Sequence, residues 1–305
     1  MFVTYVNSLP DVVNDASIYL FADDTKVFKQ IKTDEDHHSL QQDLENMLNW
    51  TDRSLLKYNI EKCCVMTIKK KKDGPVNNRT YHLDGKELRT SEKERDLGVI
   101  VDSFLTFENH MIEKVNKANR IMGVIRRSYT YLDEKCFLLL YKALVRPHLE
   151  YCNQIWRPFL QKHINMIENV QRRATRQIPG FKDLTYEERL KKLNLPSLAY
   201  RRTRGDMIEA YKIATNKYDT AITGDLFKFN QRPSRGHHLK IQKERATSNL
   251  QRNSFFYRIV NTWNNLPPHV VEAENIQTFE RRLDRHWINH ELRYCHHHAR
   301  NLISM

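Results

Sequence analysis

Two adjacent carboxylates, Asp23 and Asp24, lie at a break between two β-favouring runs, residues 17–21 and 25–31. Like charges at a hairpin tip repel each other, and a nearby divalent cation relieves that repulsion. Nucleotidyl transfer uses two such cations about 4 Å apart, held by aspartate oxygens. The alternative is a plain turn, since aspartate is common in turns and an isolated Asp-Asp pair is more often solvated than catalytic.

Basic side chains form the second group with possible chemistry. Arg172, Arg173 and Arg176 lie beside an apolar helical stripe, where they could follow the phosphate backbone of a nucleic acid. A solvated helix face is the alternative for these arginines. The four-lysine run at residues 69–72 has two interpretations as well, a phosphate contact or a charged loop.

Histidines near the C-terminus suggest a transition-metal site. His286 and His290 are four residues apart on a predicted helix, and Cys295 is followed by three histidines at residues 296–298. The spacing matches no closed zinc pattern, so a metal site is the less favoured interpretation. The sequence shows no glycine-rich phosphate loop and no convincing Ser-His-Asp or Cys-His set.

The composition favours a polyanionic partner. Lys and Arg total 50 against 37 Asp and Glu, which gives a net charge of +13 and a pI near 9.4. Such a charge favours nucleic acid through phosphate neutralisation, with an anionic membrane surface as the competing partner. No apolar run approaches the roughly 20 residues of a membrane span.

Cysteine usage and the N-terminal residues indicate an intracellular setting. The five cysteines, with Cys63 beside Cys64, do not make a disulfide framework. The first residues carry no basic stretch before their short apolar run and are a poor secretory signal. We therefore expect a protein of the nucleus or cytoplasm that does not cross a membrane. The sequence gives no indication of its oligomeric state.

The first hundred residues have the pattern of an α+β fold. The runs flanking the acid pair predict a β-hairpin with both acids at its turn. Apolar residues at helical spacing predict a helix over residues 38–58, capped by Asp34 or Asp36. Further short strands are predicted at residues 64–68, 80–83, 87–89 and 97–101.

After Leu105, apolar residues recur at the spacing of a helix. Helices are predicted around residues 112–129, 137–144 and 164–174. Their ends are assigned to the prolines Pro147, Pro158, Pro179 and Pro196. Residues 230–253 are polar and basic, which favours a linker or flexible loop. A last short unit follows, with Trp263 and Trp287 as predicted core residues.

The segment Phe21-Ala22-Asp23-Asp24 resembles the catalytic box of reverse transcriptases from non-long-terminal-repeat retrotransposons, especially the jockey-like group. Other segments resemble that family in the same order along almost the whole chain. They are Asn7-Ser8-Leu9-Pro10, residues 59–63, Asp96-Leu97-Gly98-Val99, the thumb-like residues 140–151 and 170–176, and residues 260–267.

The resemblance implies a polymerase site. Asp23 and Asp24 would be the catalytic residues and would bind Mg²⁺, and Lys62 would approach the incoming triphosphate. Leu97 and Gly98 would belong to the primer-grip strand. For Lys62, a solvated charge at a strand edge is the alternative.

The resemblance also implies a nucleic-acid partner. Arg172, Arg173 and Arg176 would lie on a thumb helix that contacts an RNA/DNA template-primer. Binding is expected to be steeply salt-dependent and to show little sequence preference, because the chain offers basic residues but no groove-reading motif.

The family's complete polymerase also has fingers, a strand with the other metal-binding aspartate and a glycine-rich nucleotide pocket. All of these precede the segment that begins here at Asn7, and six residues cannot hold them. A two-metal site needs ligands from both strands. We therefore expect the acid pair to bind Mg²⁺ weakly and the chain alone not to extend a primer.

These observations predict an α+β chain. Residues 1–105 would form a partial polymerase palm, an antiparallel sheet with a helix, with exposed apolar surface and an unpaired sheet edge. Residues 106–223 would form a helical thumb-like region, and residues 224–305 a basic loop with a small C-terminal helical unit. The predicted function is a C-terminal fragment of a retrotransposon RNA-directed DNA polymerase, inactive alone. The alternatives are a noncatalytic nucleic-acid-binding protein derived from a retroelement and a polymerase completed in trans.

Overall fold

The structure, a computed structural model, describes residues 6–69, 79–129, 131–223, 226–230 and 235–295. The chain divides into two compact units, Met1–Leu105 and Thr106–Met305. The first unit combines short strands with a long helix, whereas the second is built mainly from helices. The mixed α+β composition that the sequence predicts is therefore confirmed.

In the first unit the described residues form a 3₁₀ helix, a long α-helix and short strands. The 3₁₀ helix is Leu9–Val12, and the long helix, α1, is Asp34–Ser54. The strands are β1 Ser17–Phe21, β2 Asp24–Phe28, β3 Cys64–Val65, β4 His82–Leu83, β5 Lys86–Glu87, β6 Arg89–Thr90, β7 Lys93–Asp96 and β8 Val99–Asp102. Strand β1 coincides with its predicted run.

The strands pair two by two rather than as one sheet. Pairs β1–β2, β4–β5 and β7–β8 are antiparallel, and β3–β6 is parallel. The single antiparallel sheet expected for a palm is therefore not present within the described residues. Each antiparallel pair is a hairpin closed by a two-residue turn, so it forms from residues close in sequence without a third strand.

Helix α1 begins four residues earlier than predicted because its cap is Thr33. The Thr33 hydroxyl accepts from the backbone N–H of Asp36, and the Asp36 carboxylate accepts from the backbone N–H of Thr33 at 2.9 Å. This reciprocal arrangement satisfies two helix N-terminal donors. The predicted cap residues, Asp34 and Asp36, thus lie inside the first turn, where acids favour the helix dipole. At the other end Leu55 turns left-handed, with φ 55°.

The core of the first unit lies between α1 and the β1–β2 hairpin. Met47 and Trp50 of α1 are buried there, and Leu9 from the 3₁₀ helix joins them. Ile18 and Leu20 contribute the inner face of β1. The alternation of inward and outward residues along β1 follows from the period of two in a strand.

Within the described residues, the second unit contains three helices of 15 to 21 residues, together with shorter ones. The helices are α2 Glu108–Ser128, α3 Glu134–Leu140, α4 Arg146–Glu150, α5 Asn153–Trp156, α6 Gln161–Thr175, α7 Tyr186–Lys192, α8 Leu198–Ala214, α9 Thr220–Thr223, α10 Asn249–Asn253, α11 Phe255–Arg258, α12 Val260–Asn264, α13 Pro268–Val271 and α14 Ile276–His286. A 3₁₀ helix, Glu291–Arg293, follows. In the part of the chain described, none of these helices has the length and apolar character needed to cross a bilayer.

Helical structure passes through Pro147, which the sequence assigns to a helix end. A π-helical turn, Tyr141–Val145, connects α3 to α4, and Pro147 occupies the first turn of α4. Proline is tolerated in a first turn, where its missing N–H would have no helical partner. The backbone N–H of Arg146 reaches back to the carbonyl of Tyr141.

One core joins α8 to the C-terminal helices. Tyr211 of α8 stacks on Phe279 of α14 with ring centroids 4.3 Å apart, and Trp263 and Trp287 are buried as predicted. The structure groups residues 106–305 into one unit. The boundary expected between residues 223 and 224 stays a prediction.

Residues 235–241 are held against Trp263. The indole Nε1 of Trp263 donates to the carbonyl of Leu239 at 2.7 Å, and Asn264 exchanges two hydrogen bonds with the backbone of Ile241 at 2.8 and 2.9 Å. His237 and Ile241 are buried. These contacts attach the segment to the core through its backbone groups, and its flexibility stays a prediction.

Candidate active site

The acid pair lies at the tip of the β1–β2 hairpin. Phe21 pairs with Asp24, so Ala22 and Asp23 form the two-residue turn. Ala22 adopts left-handed backbone with φ 53°. The predicted hairpin is present, but only Asp23 is in its turn; Asp24 is the first residue of β2.

The outward face of this hairpin carries the side chains with possible catalytic chemistry. The register places Asp24 and Lys26 of β2 on the same face as Tyr19 and Phe21 of β1. Tyr19 also stacks on Phe28, with ring centroids 5.4 Å apart and rings 8° from parallel. Both acids are exposed, and Tyr19, Phe21 and Phe28 remain half-exposed or more. Exposed aromatic side chains thus share one face of the hairpin with an accessible carboxylate.

A buried carboxylate fixes the chain that enters β1. Asp43 of α1 accepts from the backbone N–H groups of Asn14 at 2.8 Å, Asp15 at 3.1 Å and Ala16 at 2.8 Å. The sequence did not single out Asp43, because an acid on a helix surface normally indicates a solvated face. Its contacts hold the start of the hairpin against α1.

The segment Asn7-Ser8-Leu9-Pro10 has a structural role in the same region. Leu9 is 1% exposed and belongs to the core of the first unit. The Trp50 indole of α1 donates to the Ser8 hydroxyl at 3.1 Å. Pro10 lies in the first turn of the 3₁₀ helix, where proline is favourable. The family-like segment therefore anchors the chain ahead of the acid pair.

The acid pair has the ligand chemistry of a magnesium site but not the ligand number. Carboxylate oxygens suit Mg²⁺, and Asp23 and Asp24 are both accessible. Across the residues that the structure describes, no group of three or more His, Cys, Asp or Glu side chains is arranged to hold a metal ion. The pair can therefore contribute ligands to such a site without completing it.

Leu97 and Gly98 form a turn and not the predicted strand. They connect β7 to β8 with φ values of 43° and 84°, and β8 begins only at Val99. Consecutive positive φ values define the tight hairpin turn that favours glycine in second position. Next to this turn, Asp96 forms an ion pair with Lys26 of β2. The expected primer-grip segment is thus connected to the hairpin that carries the acids.

Lys62 is exposed in a turn ahead of β3. Its backbone N–H donates to the Asn59 carbonyl at 3.0 Å. This position leaves the ammonium group accessible, and a phosphate role stays a prediction. In the four-lysine run, Lys69 lies 5.8 Å above the Phe104 ring, whereas residues 70–72 lie outside the described residues.

The three arginines predicted to bind nucleic acid differ in exposure. Arg173 and Arg176 are exposed, and Arg173 donates to Asn119 of α2 at 3.1 Å. Arg172 is half-buried, with its guanidinium carbon 5.1 Å from the centre of the Tyr186 ring. The three side chains therefore do not form one exposed face.

A buried polar network connects the two thumb-like motifs. Tyr141 donates to Gln171 at 2.8 Å, and Gln171 donates to Tyr186 at 3.0 Å. Tyr186 in turn donates to Glu168 at 2.6 Å. Burial raises the pKa of Glu168, and burial lowers the pKa of Arg202 beside it to about 10. This network gives Tyr141 and Gln171 a packing role that their sequence spacing does not reveal.

Asp206 of α8 forms a second buried charge cluster that the sequence did not indicate. Arg258 donates to its two oxygens at 2.8 and 2.9 Å, and Arg157 forms a further ion pair. Burial alone would raise the pKa of Asp206, but attraction to Arg258 and Arg157 outweighs burial and holds the pKa below its usual range. The cluster joins α8 to α11.

The C-terminal histidines form no metal centre among the described residues. His290 accepts at Nδ1 from the backbone N–H of Leu292 at 3.1 Å, and its ring packs against Trp287 and Tyr200. Burial lowers the pKa of His290. The three histidines at residues 296–298 lie outside the described residues.

Comparison with known proteins finds similarity to one class, the RNA-directed DNA polymerases of mobile elements. The RNA-directed DNA polymerases from mobile element jockey of Drosophila melanogaster and Drosophila funebris are 29% identical over 177 residues and 28% identical over 172 residues. The probable RNA-directed DNA polymerase from transposon X-element of Drosophila melanogaster is 25% identical over 194 residues. These matches confirm the resemblance to jockey-like reverse transcriptases.

The similarity is partial on both sides. The matched regions cover 54%, 53% and 59% of this chain and 18%, 18% and 20% of the three relatives. The chain therefore spans about a fifth of the length of these relatives. No family model matches the chain, and no solved structure matches it significantly.

Proposed function

We propose that this chain is the palm and thumb portion of a retrotransposon RNA-directed DNA polymerase. Its β1–β2 hairpin would supply one carboxylate pair of the nucleotidyl-transfer site. The observation that carries the proposal is the position of Asp23 and Asp24, accessible at a hairpin tip within a polymerase-like Phe21-Ala22-Asp23-Asp24 segment. The similarity to polymerases of mobile elements supports the same assignment.

The chemistry of the pair fits metal-dependent phosphoryl transfer. Asp23 and Asp24 would hold Mg²⁺, which when bound would neutralise charge on the triphosphate and activate the primer hydroxyl. Exposed carboxylates on a tight turn present their oxygens with few competing contacts. Lys62, exposed ahead of β3, would add positive charge for the triphosphate.

Catalysis by this pair would depend on a further carboxylate. Within the described residues no third acid, histidine or cysteine is grouped with Asp23 and Asp24. A two-metal site with a missing ligand loses the geometry on which the transfer depends. We therefore expect no primer extension by this chain alone, and activity when a polymerase segment with the other aspartate is supplied.

A chimeric polymerase tests this proposal. The region of the Drosophila melanogaster jockey polymerase that matches this chain is replaced by this chain, and primer extension is measured on an RNA template with Mg²⁺. Extension is expected, and Asp23→Asn or Asp24→Asn should each reduce it at least about 100-fold, as loss of a metal ligand removes several kcal/mol of transition-state stabilisation. Asp52→Asn, an exposed acid on α1, is the matched control.

Metal binding to the chain by itself is a second test, which remains possible if the chimera fails to fold. Mn²⁺ titration followed by electron paramagnetic resonance should show weak binding that both hairpin substitutions remove and the Asp52 substitution leaves unchanged. An active chimera that tolerates both hairpin substitutions would refute the assignment. The alternative of a noncatalytic nucleic-acid binder would gain support if the folded chimera bound template without extending it.

A further inference from the structure

We propose that Asp96 is a positioning residue, which holds the ammonium group of Lys26 away from Asp24 and so leaves the acid pair free to bind a divalent cation. Lys26 lies on the same strand as Asp24, whereas Asp96 lies 70 residues after Lys26, on the β7–β8 hairpin. That Asp23 and Asp24 bind the cation rests on the proposed function. The role of Asp96 is additional to it.

Lys26 is placed where it would neutralise Asp24. One residue separates the two in β2, so their side chains leave the same face of the strand with Cα atoms about 7 Å apart. The ammonium group of lysine is a compact charge on a flexible stem that can reach along the strand. Beside Asp24 it would compete with a divalent cation for the carboxylate oxygens and would repel that cation. The strand by itself therefore predicts an acid pair that is partly blocked.

In the structure, Lys26 pairs with Asp96 instead. The Nζ atom of Lys26 forms an ion pair and a hydrogen bond with Oδ2 of Asp96. Within the described part of the chain, no ion pair involves Asp23 or Asp24. The positive charge that shares a face with Asp24 is therefore balanced by a carboxylate outside the acid pair.

Asp96 is held in place by its own hairpin. It is the last residue of β7 and pairs with Val99, which is buried in β8. Leu97 and Gly98 close the turn with φ values of 43° and 84°. Because the backbone of a paired strand is already ordered, the Asp96 carboxylate loses less conformational freedom on forming the ion pair than a carboxylate on an open loop would.

An ordinary surface ion pair is the competing explanation. The side chains of Lys26 and Asp96 are 52% and 36% exposed, and ion pairs of such exposure contribute little to stability. The positioning role concerns the place of the ammonium group and requires no large contribution to stability. The two explanations differ in cation binding. If Asp96 acts only as a nearby negative charge, its removal weakens binding equally whether or not Lys26 is present.

A double-mutant cycle on the full chain separates the two explanations. Mn²⁺ binding is measured at low ionic strength by electron paramagnetic resonance. Asp96→Asn should weaken binding roughly threefold to tenfold, because the released ammonium group then lies beside Asp24. In a Lys26→Met background the same substitution should change the affinity by less than about twofold, since no ammonium group is left to move. Lys26→Arg keeps the charge and a partner for Asp96, and should bind Mn²⁺ like the wild type.

Asp15→Asn is the matched control. Asp15 is an exposed acid that pairs with Lys29, the residue directly after β2, at 3.7 Å. The substitution removes the same charge, but Lys29 remains hydrogen-bonded to Ser39 at 2.6 Å. The Mn²⁺ affinity should therefore change by less than about twofold. Far-UV circular dichroism verifies that each variant is folded.

Zero-length cross-linking locates Lys26 without any metal. A carbodiimide activates a carboxylate, and an amine in contact with it then forms an amide while a urea leaves. Mass spectrometry should find an amide between Lys26 and Asp96 in the wild type. In Asp96→Asn it should find an amide between Lys26 and Asp24.

The outcomes distinguish the positioning role from the proposed function. Equal losses of Mn²⁺ affinity in the two backgrounds would overturn the positioning role alone, as would a cross-link of Lys26 to Asp24 that already dominates in the wild type. Mn²⁺ binding that is absent, or insensitive to Asp23→Asn and Asp24→Asn, would overturn both proposals. An inactive but folded chimera, with the effect of Asp96→Asn still dependent on Lys26, would overturn the polymerase proposal alone.

Discussion

Asp43 combines near-complete burial with three backbone donors. Its side chain sits on α1, and the N–H groups of Asn14, Asp15 and Ala16 converge on its two oxygens. A buried carboxylate that accepts several N–H bonds compensates for its lost hydration. The arrangement fixes the backbone immediately ahead of β1 and so sets the position of the acid pair at the hairpin tip.

Removing the Asp43 carboxylate should loosen the hairpin. Asp43→Ala leaves three backbone donors without an acceptor, and we expect the free energy of opening for the β1–β2 region to fall by about 3 kcal/mol. Amide hydrogen exchange of residues 14–28 measures the change. Asp52→Ala, on the exposed side of the same helix, should alter exchange little. Unchanged protection in Asp43→Ala would contradict the anchoring role.

Asp206 makes the second unit sensitive to acid. Its pKa is below the usual range in the folded chain because Arg258 and Arg157 outweigh the effect of burial. A carboxylate whose pKa is lower in the folded than in the unfolded chain stabilises the fold at pH values above its unfolded pKa. This stabilisation is lost as the pH falls through the pKa of the folded chain. Glu168 acts in the opposite sense, since burial raises its pKa and protonation then favours the folded state.

The difference between wild type and Asp206→Asn isolates this contribution. At pH 7 the substitution should lower the free energy of unfolding by about 3 kcal/mol or more, because two buried arginines lose their charged partner. The difference should shrink as the pH falls below about 4, where the carboxylate of the unfolded chain becomes protonated, and should be lost once the folded carboxylate, whose pKa is lower, is protonated as well. Urea denaturation across this pH range provides the measurement. Asp284→Asn, in an exposed pair with Arg204, should cost less than about 1 kcal/mol.

At the scale of elements, the β7–β8 hairpin depends on its turn. Leu97 and Gly98 both have positive φ, and the turn places Asp96 where it meets Lys26 of the acid-bearing hairpin. A side chain with a Cβ is strained in this backbone region. Leu97 is already strained in this conformation. Gly98 adopts it without strain because glycine has no Cβ.

Replacing Gly98 should therefore weaken the hairpin. Gly98→Ala is expected to lower the free energy of opening for β7 and β8 by about 1 kcal/mol, as measured by amide hydrogen exchange. Gly123→Ala in α2 is the matched control, because a Cβ at Gly123 meets no atom within 4 Å. That substitution should stabilise its helix by up to about 1 kcal/mol. If both substitutions lowered the free energy of opening equally, backbone strain at Gly98 would be excluded as the cause.

At the scale of the whole molecule, the C-terminal helices complete the second unit. The Tyr211 hydroxyl donates to the carbonyl of Ala273 at 2.6 Å, and the Ser197 hydroxyl donates to that of Leu292 at 2.6 Å. Arg258 meets Asp206 in the same core. Helix α8 therefore has its buried face covered by residues that lie 50 or more positions later in the chain.

Truncation at the predicted boundary tests this dependence. A chain of residues 106–305 should unfold in one cooperative thermal transition, whereas residues 106–223 should lack one, because the apolar face of α8 loses its cover. Differential scanning calorimetry distinguishes the two. A cooperative transition for residues 106–223 would support a separate C-terminal domain beginning at residue 224.

The sequence by itself determined the local features. The hairpin around Asp23-Asp24, the long helix α1 and the helices α2 and α6 follow from apolar period and turn composition, which act between near neighbours. The order of polymerase-like segments also gave the resemblance to jockey-like reverse transcriptases, which comparison confirmed. Two tryptophans were assigned correctly to the core because large apolar residues are seldom left exposed.

Only the tertiary structure decided which polar residues are buried and which cations share a surface. Asp43, Asp206 and Glu168 resemble solvated acids in sequence, yet each contacts partners 18 to 52 positions away. Arg173 likewise lies beside Asn119 because α2 and α6 run parallel. The spacing of apolar residues in the sequence indicates on which face of a helix a side chain lies. Whether that side chain is desolvated and paired depends on which element packs against that face.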